Sequence, residues 1–325
     1  MEQELKNRYL SIKRKLFNTY YNNLNKMQKE AVFCVNGPLL VLAGAGSGKT
    51  TVLVNRIAHM LNFGDAYHTN EIISGVDEQL VTVFEQIYEN KDSIPKEDLH
   101  NLLLNFAYEP PRPWEILSIT FTNKAAGEMK ERLLTKIGES AKDIWAGTFH
   151  SVCVKMLRIN IDRIGYSTAF SIYDTDDSKK IISNVIKELE LDDDMFVPKT
   201  VLSIISRFKN KLIFPESPEL IETNDYKEKM IAEIYKRYQS TLKEADAVDF
   251  DDIICLTIKL LKECPDVLEK YRSRFKYILV DEYQDTNGAQ LELMRLLCAK
   301  YENIMVVGDD DRVYINSGVQ LSKIY

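Results

Sequence analysis

The sequence predicts an α/β fold, a parallel sheet carrying a phosphate-binding loop, with an α-helical subdomain inserted between its parts. Three observations predict it. Pro38 to Thr51, PLLVLAGAGSGKTT, runs from an apolar stretch (Leu39 to Leu42) through a Gly-rich turn into a helix that begins near Lys49. Tyr277-Ile278-Leu279-Val280 reads as a buried parallel strand and ends on Asp281 and Glu282, at the C-terminal strand end where α/β sheets gather ligands. Between them, Val152 to Ala245 is charged and helical in pattern, without strand-like alternation.

A chain of 325 residues, 28% charged and 45% hydrophobic, has the composition of a globular protein of two domains or subdomains. Its longest apolar runs are too short for a membrane span, and MEQELKNRYLSIKRK lacks the apolar core of a signal peptide. The five cysteines, Cys34, Cys153, Cys255, Cys264 and Cys298, have no CxxC spacing, so reduced thiols in a cytoplasmic protein are expected rather than a zinc site or a disulfide framework. The net charge of −7 is local: residues 65–112 hold ten Asp/Glu against three Lys/Arg, and the remainder carries 39 of each sign. Whole-chain charge therefore does not exclude a nucleic-acid partner, which needs only a basic groove.

Residues 5–29 hold seven Lys/Arg and no acid, with Leu5, Tyr9, Ile12 and Leu16 at helical spacing; a packed amphipathic helix with a solvated basic face is expected over residues 1–23. Asn25 suits a helix cap, and the Gln28 amide, shortly before the Gly-rich turn, has the donor and acceptor to pair with adenine. The turn itself, Ala43, Gly44, Ala45, Gly46, Ser47, Gly48, Lys49, Thr50 and Thr51, is the candidate nucleotide cradle. Glycines let backbone amides wrap an anion, and the following helix N-terminus adds partial positive charge. Lys49 reaches for the β- and γ-phosphates and the Thr50 hydroxyl for Mg²⁺. Ala43 stands where the usual pattern has Gly, and Arg56, on the following helix, is placed to reach the nucleotide.

The acidic segment 65–112 reads as an insertion with two short helices, closed by Pro110-Pro111-Arg112-Pro113; its charge places it away from a DNA backbone. Ile116 to Phe121 and Ile144 to Thr148 are further strands, followed by Thr122-Asn123-Lys124 and Thr148-Phe149-His150. Hydroxyls, an amide, a cation and an aromatic at strand ends suit phosphate contacts and base stacking. Lys199, Arg207, Lys209, Lys211 and Lys236 offer phosphate contacts from the helical subdomain, although solvated faces account for most of them. Asp249 suits a helix cap as the chain returns to the sheet. At the second carboxylate strand, Asp281 would hold Mg²⁺ through water and Glu282 would polarise an attacking water. Ile304 to Val307 is another strand, ending in Gly308-Asp309-Asp310-Asp311.

Taken in order, LNKMQKEAV, AGAGSGKT, ITFTNKAAGEMKERL, GTFHS, DFDDII, VDEYQDTN and VVGDDD, spread over residues 24–311, resemble the superfamily 1 DNA helicases of the UvrD/Rep/PcrA type. The resemblance implies a RecA-like first motor domain split into 1–151 and 246–311, with residues 152–245 as the inserted helical subdomain. It implies ATP and Mg²⁺ as ligands and single-stranded DNA or a single/double-strand junction as partner. It further implies 3′→5′ translocation by the intact enzyme, with Lys49 and Glu282 catalytic and Thr122, Asn123, Lys124, Thr148, Phe149 and His150 near the DNA track. Residues 312–325 depart from the pattern: RVYINSGVQLSKIY replaces the family's QSIYxFRGA-like segment. A set of synonymous codons for this tail, shifted by one base, spells QSIYKFRGAIVQNL, so a one-base deletion after the Asp311 codon is the expected origin. The family's second motor domain has no counterpart here, so an impaired ATPase, or an idle nucleotide- and DNA-binding module, is expected of these residues alone, unless that domain acts in trans.

Overall fold

The computed structural model describes residues 2–309 apart from 45, 193 and 223; the expectations for Ala45 and for the 312–325 tail lie outside the described residues. The chain divides into two compact units, 1–146 with 275–284 and 301–325, and 147–274 with 285–300. The second unit thus extends beyond the 152–245 segment.

The first unit begins with α1 (Glu2–Tyr20), α2 (Lys26–Phe33), β1 (Leu39–Leu42) and α3 (Lys49–Phe63). It continues through α4 (Glu78–Glu89), α5 (Lys96–Leu104), β2 (Ile116–Thr120), α6 (Asn123–Ile137) and β3 (Trp145–Thr148), at whose end the second unit starts. In that unit follow α7 (Phe149–Asn160), β4 (Ser171–Ile172), α8 (Thr175–Glu188), α9 (Pro198–Asn210), α10 (Pro218–Ile221) and α11 (Tyr226–Glu244). Then come β5 (Ala247–Val248), α12 (Phe250–Glu263), α13 (Pro265–Arg274), β6 (Tyr277–Val280), α14 (Gly288–Cys298) and β7 (Ile304–Gly308). Of these, β6 and β7 return to the first unit.

The sheet order is β1-β7-β6-β2-β3. Leu39 pairs with Met305, Val280 with Val306 and Ile119 with Val280, all in parallel register. Parallel pairing sets the C-terminal ends of β1 and β6 on one edge of the sheet with β7 between them, so the Gly-rich turn and Asp281 face one ligand region. β2 and β7 are buried throughout. β1 differs from the buried strand expected of Leu39–Leu42: it is one of the two edge strands among the described residues, pairs on one side only, and leaves Leu42 39% exposed.

The first unit's core gathers Phe17 of α1, Phe33 of α2, Phe63 of α3, Val81 and Phe84 of α4, and Leu103 and Phe106 with the sheet residues Leu279, Met305 and Val307. The acidic 65–112 segment therefore shares the unit's core. The two short helices expected within it form as α4 and α5, α4 capped by Asp77 accepting from the Leu80 amide. The basic face of α1 is less solvated than its composition suggests. Arg8 is paired with Glu85 at 2.8 Å and Glu78 at 3.3 Å, and buried Lys13 donates to the Thr69 carbonyl at 2.7 Å.

The second unit is mainly helical around Ile182, Ile186, Phe196, Ile205, Ile234, Tyr235 and Tyr238. One correction falls here: residues 171–172 and 247–248 form a two-stranded parallel ladder, and two residues are too few to show a period of two. Lys209 is a second correction. Its side chain is 1% exposed and held by Asp249 at 2.6 Å and Asp252 at 2.8 Å, which withdraws it from any phosphate. Asp249 caps α12 as the sequence predicts, accepting from the Asp252 amide while Asp252 accepts from the Asp249 amide.

Candidate nucleotide and DNA sites

The Gly-rich turn leaves β1 through the Ala43 amide, which donates to the Gly308 carbonyl of β7 at 3.0 Å. Gly46 and Gly48 take φ of +76° and +87°, the left-handed region that side chains disfavour. Gly48 has a second reason to lack a side chain: a Cβ there would stand 3.1 Å from the Gln28 amide nitrogen. As N-cap of α3 it supplies no side-chain acceptor, so the first amides of the helix are left to an anion. An open helix start, two left-handed glycines and a lysine at the first helical position fit a nucleotide phosphate. Thr50 and Thr51 follow in the first turn, half-buried, and the Thr51 carbonyl accepts from Asn55 at 2.7 Å.

Gln28 is fixed from two sides. Its amide oxygen accepts from the Asn25 backbone at 3.0 Å in a capping box, and its amide nitrogen donates to the Ser47 carbonyl at 3.1 Å. It thereby ties α2 to the loop and lines a cavity of about 360 Å³ with Met27, Cys34, Leu40, Leu42 and Lys49.

The structure corrects the role expected of Arg56. The residue is buried, and its guanidinium donates to the carbonyls of Ala31 at 2.8 Å, Val35 at 3.0 Å and Cys34. Those carbonyls belong to the end of α2 and the residues beyond it, which lack intrahelical partners. The cation serves the α2 terminus and is unavailable to a nucleotide.

At the end of β6, the Asp281 amide donates to the Ile119 carbonyl at 3.0 Å, which fixes the carboxyl on the ligand edge. Burial raises its pKa, opposed by the hydrogen bond from the Glu282 amide at 3.0 Å. Glu282 adopts φ of +52°, a strained backbone for a residue with a side chain. Its carboxylate lies 3.8 Å from Lys49 Nζ and accepts from the Gln284 amide nitrogen at 2.6 Å. The Gln284 amide oxygen in turn accepts from the Asp309 amide at 2.9 Å. Gln284 thus joins the second carboxylate to the end of β7, a positioning role the sequence reading missed. Its signal was there, an amide two residues after the acid and within the same turn. Among the described residues no group of three or more His, Cys, Asp or Glu side chains could hold a metal. A Thr hydroxyl and one carboxylate remain a sufficient protein contribution for Mg²⁺, which keeps most of its waters.

The expected DNA residues fall in separate units. Thr122, Asn123 and Lys124 are exposed at the start of α6 in the first unit, Thr122 capping the helix by accepting from the Ala125 amide at 3.1 Å. Thr148, Phe149 and His150 belong to the second. Thr148 is buried and caps α7 through the Ser151 amide at 3.2 Å. Phe149 is 1% exposed, a core residue, which corrects its assignment as a base-stacking aromatic. His150 is half-buried and stacks on Phe250, with ring centroids 3.7 Å apart and an interplanar angle of 22°.

A parallel sheet with the glycine-rich loop after its edge strand and a carboxylate pair after β6 defines a RecA-like P-loop domain. The family model described as the UvrD/REP helicase N-terminal domain matches residues 24–74 and 99–314, and the chain belongs to that family. The gap at 75–98 lies within the segment read as an insertion. The chain is similar to the ATP-dependent DNA helicase PcrA of Staphylococcus epidermidis, 41% identical over 308 residues, covering 94% of this chain and 36% of the relative. PcrA of Staphylococcus aureus gives the same identity and coverage. The chain therefore spans about a third of the length of these relatives. No helix among the described residues is long and apolar enough to cross a membrane.

Proposed function

We propose that this chain is the N-terminal ATP- and DNA-binding motor domain of an ATP-dependent 3′→5′ DNA helicase or translocase, acting on single-stranded DNA or a single/double-strand junction. The observation that carries the reading is the convergence, within one unit, of an uncapped α3 start, Lys49, and the Asp281-Glu282 pair, with Glu282 3.8 Å from the lysine. In this reading Ala43 to Thr51 cradle the triphosphate, Lys49 neutralises its terminal phosphates, and Thr50 and Asp281 hold Mg²⁺, which supplies Lewis-acid charge stabilisation. Glu282, oriented by Gln284, accepts the proton of the attacking water. The Lys49–Glu282 contact is too long for a hydrogen bond, so the lysine can leave the carboxylate for phosphate. Thr122, Asn123 and Lys124 contact the DNA backbone.

Motor ATPases of this kind complete the site with arginines from an opposing domain, worth on the order of 10³–10⁵ in turnover. These 325 residues by themselves are proposed to bind ATP–Mg²⁺ and hydrolyse it slowly, and a second motor domain supplied in trans is proposed to raise the rate. The test is ATP hydrolysis by the purified chain with and without single-stranded DNA, beside Lys49→Ala. Slow turnover lost in Lys49→Ala supports the reading. Fast, DNA-stimulated turnover by the chain alone refutes the impairment, and equal ATP affinity in wild type and Lys49→Ala refutes the nucleotide site.

A further inference from the structure

The second unit holds a cavity of about 550 Å³ that the nucleotide and DNA readings leave unused. Two helix faces and a turn border it. Lys236, Gln239 and Lys243 stand at three- and four-residue spacing on one face of α11, and Asp252, Leu256 and Lys259 at four- and three-residue spacing on one face of α12. The turn after α9 closes a third side: Leu212 takes φ of +59°, and Phe214 and Pro215 follow it on the cavity wall. Tyr166 adds a second aromatic ring.

Three kinds of group meet on this wall. Phe214 and Tyr166 are half-buried rings, and burial, then the Asp252 charge, pushes the Tyr166 hydroxyl up to about 12, so it stays neutral. The Gln239 amide nitrogen donates to both oxygens of Asp252 at 3.1 Å, and Asp252 is itself held by Lys209 at 2.8 Å. A carboxylate accepts only, so the amide orientation is fixed and its oxygen is turned away from Asp252. That oxygen is buried and has no hydrogen-bond partner, a costly state that a donor from a ligand relieves. The rim is cationic. Lys236 and Lys243 make no ion pair among the described residues, Lys243 lying 5.7 Å from the centroid of the Tyr166 ring. Lys262 is paired with Glu292 at 2.7 Å and Lys259 with Glu263 at 3.8 Å, which leaves Glu216 as the one unpaired acid against two unpaired lysines on the described lining.

We propose that this cavity is a second ligand site, in a different unit from the phosphate loop, for a free mononucleotide: its base against Phe214 and Tyr166, a base N–H toward the Gln239 oxygen, and its phosphate on Lys236 and Lys243. Small-molecule pockets of this volume combine apolar and aromatic walls with a few polar groups that fix orientation. The coincidence of rings, an unmet acceptor and a pair of free cations selects the ligand, because a mononucleotide carries a π-face, N–H donors and an anion on one small frame. The inference stands apart from the ATPase reading and requires neither Lys49 nor Mg²⁺.

The test is equilibrium dialysis of the full chain carrying Lys49→Ala, which disables the phosphate loop, against AMP, GMP, CMP and UMP in turn, with EDTA present. Saturable binding of at least one of them is expected. Adding Lys236→Ala and Lys243→Ala, both at exposed positions that the fold does not need, is expected to weaken that binding by about 10-fold or more, the size of lost charge-assisted contacts. The matching nucleoside and inorganic phosphate, each carrying half of the ligand, are expected to compete at least about 10-fold less well than the nucleotide. No saturable binding of any of the four up to about 1 mM, or unchanged affinity in the lysine variant, overturns the site. Displacement of the nucleotide by oligothymidylate assigns the cavity to a strand and overturns the free-nucleotide ligand.

Discussion

Each unit contains a lysine facing two aspartate or glutamate positions, and the two constellations do opposite things. Lys209 lies 2.6 and 2.8 Å from Asp249 and Asp252, with all three side chains buried. Burial alone would lower its pKa, but the two carboxylates hold it well above the ordinary value. Lys49 lies 3.8 Å from Glu282, whose side chain is 41% exposed, while the lysine itself is 12% exposed. The first arrangement satisfies its charges internally and leaves nothing for a ligand. The second has a cation near a carboxylate it can leave, at an open helix start. Residue types are nearly the same in both; distance and burial separate a closed ion cluster from an open one.

The largest effect is expected from breaking the closed cluster. Lys209→Met leaves two buried carboxylates without a cation and should lower stability by about 3–5 kcal/mol, read as the urea midpoint; adding Asp249→Asn and Asp252→Asn should recover part of it. A loss under about 1 kcal/mol would show that the cluster is not holding the helices. In the open pair, Lys49→Ala should reduce whatever ATP turnover the chain has by on the order of 10²–10³-fold, with thermal melting little changed. If melting falls as far as in Lys209→Met, the two lysines are equivalent and the contrast is lost.

A smaller effect tests the helix that bears Lys49. His59, two turns and more along α3, is fully buried, and burial followed by the nearby Arg56 and His68 charges pulls its pKa down to about 3. Its Nδ1 meets the Tyr21 hydroxyl at 3.3 Å. A depressed histidine stabilises the fold fully above its unfolded pKa, about 6.5, and loses that contribution as pH falls toward the folded value. At pH 5 the loss is about 2 kcal/mol. The difference in urea midpoint between pH 7.5 and pH 5 should therefore shrink in His59→Gln, and an unaltered difference would assign the pH dependence elsewhere. The smallest stability effect is expected of Glu282→Gln, within about 0.5 kcal/mol. ATP affinity should be kept and hydrolysis lost; retained hydrolysis would remove Glu282 as the base.

The α/β class, the strands at 39–42, 116–120 and 277–280, the caps at Asn25 and Asp249 and the glycine-rich turn were all legible because each is written in a local pattern. The pairs that give residues their roles were not. Phe149 and Phe250 both follow a cap residue at a helix start, yet one is core and the other open to solvent. Arg56 carried the charge expected of a nucleotide ligand, and its partners are three carbonyls 21 to 25 positions away. Lys209 looked like any solvated lysine of an amphipathic helix, because the acids that claim it are 40 and 43 residues distant.

By itself the sequence determined the loop that can hold phosphate, since φ above zero, a helix start and Lys49 are properties of adjacent residues. It determined too that Asp281 and Glu282 end a buried strand. Only the tertiary structure decided that β7 lies between β1 and β6, that Gln284 ties Glu282 to Asp309, and which of two lysines is left available. Charge is a property of a side chain, but its availability depends on which distant groups share its burial and how close they come.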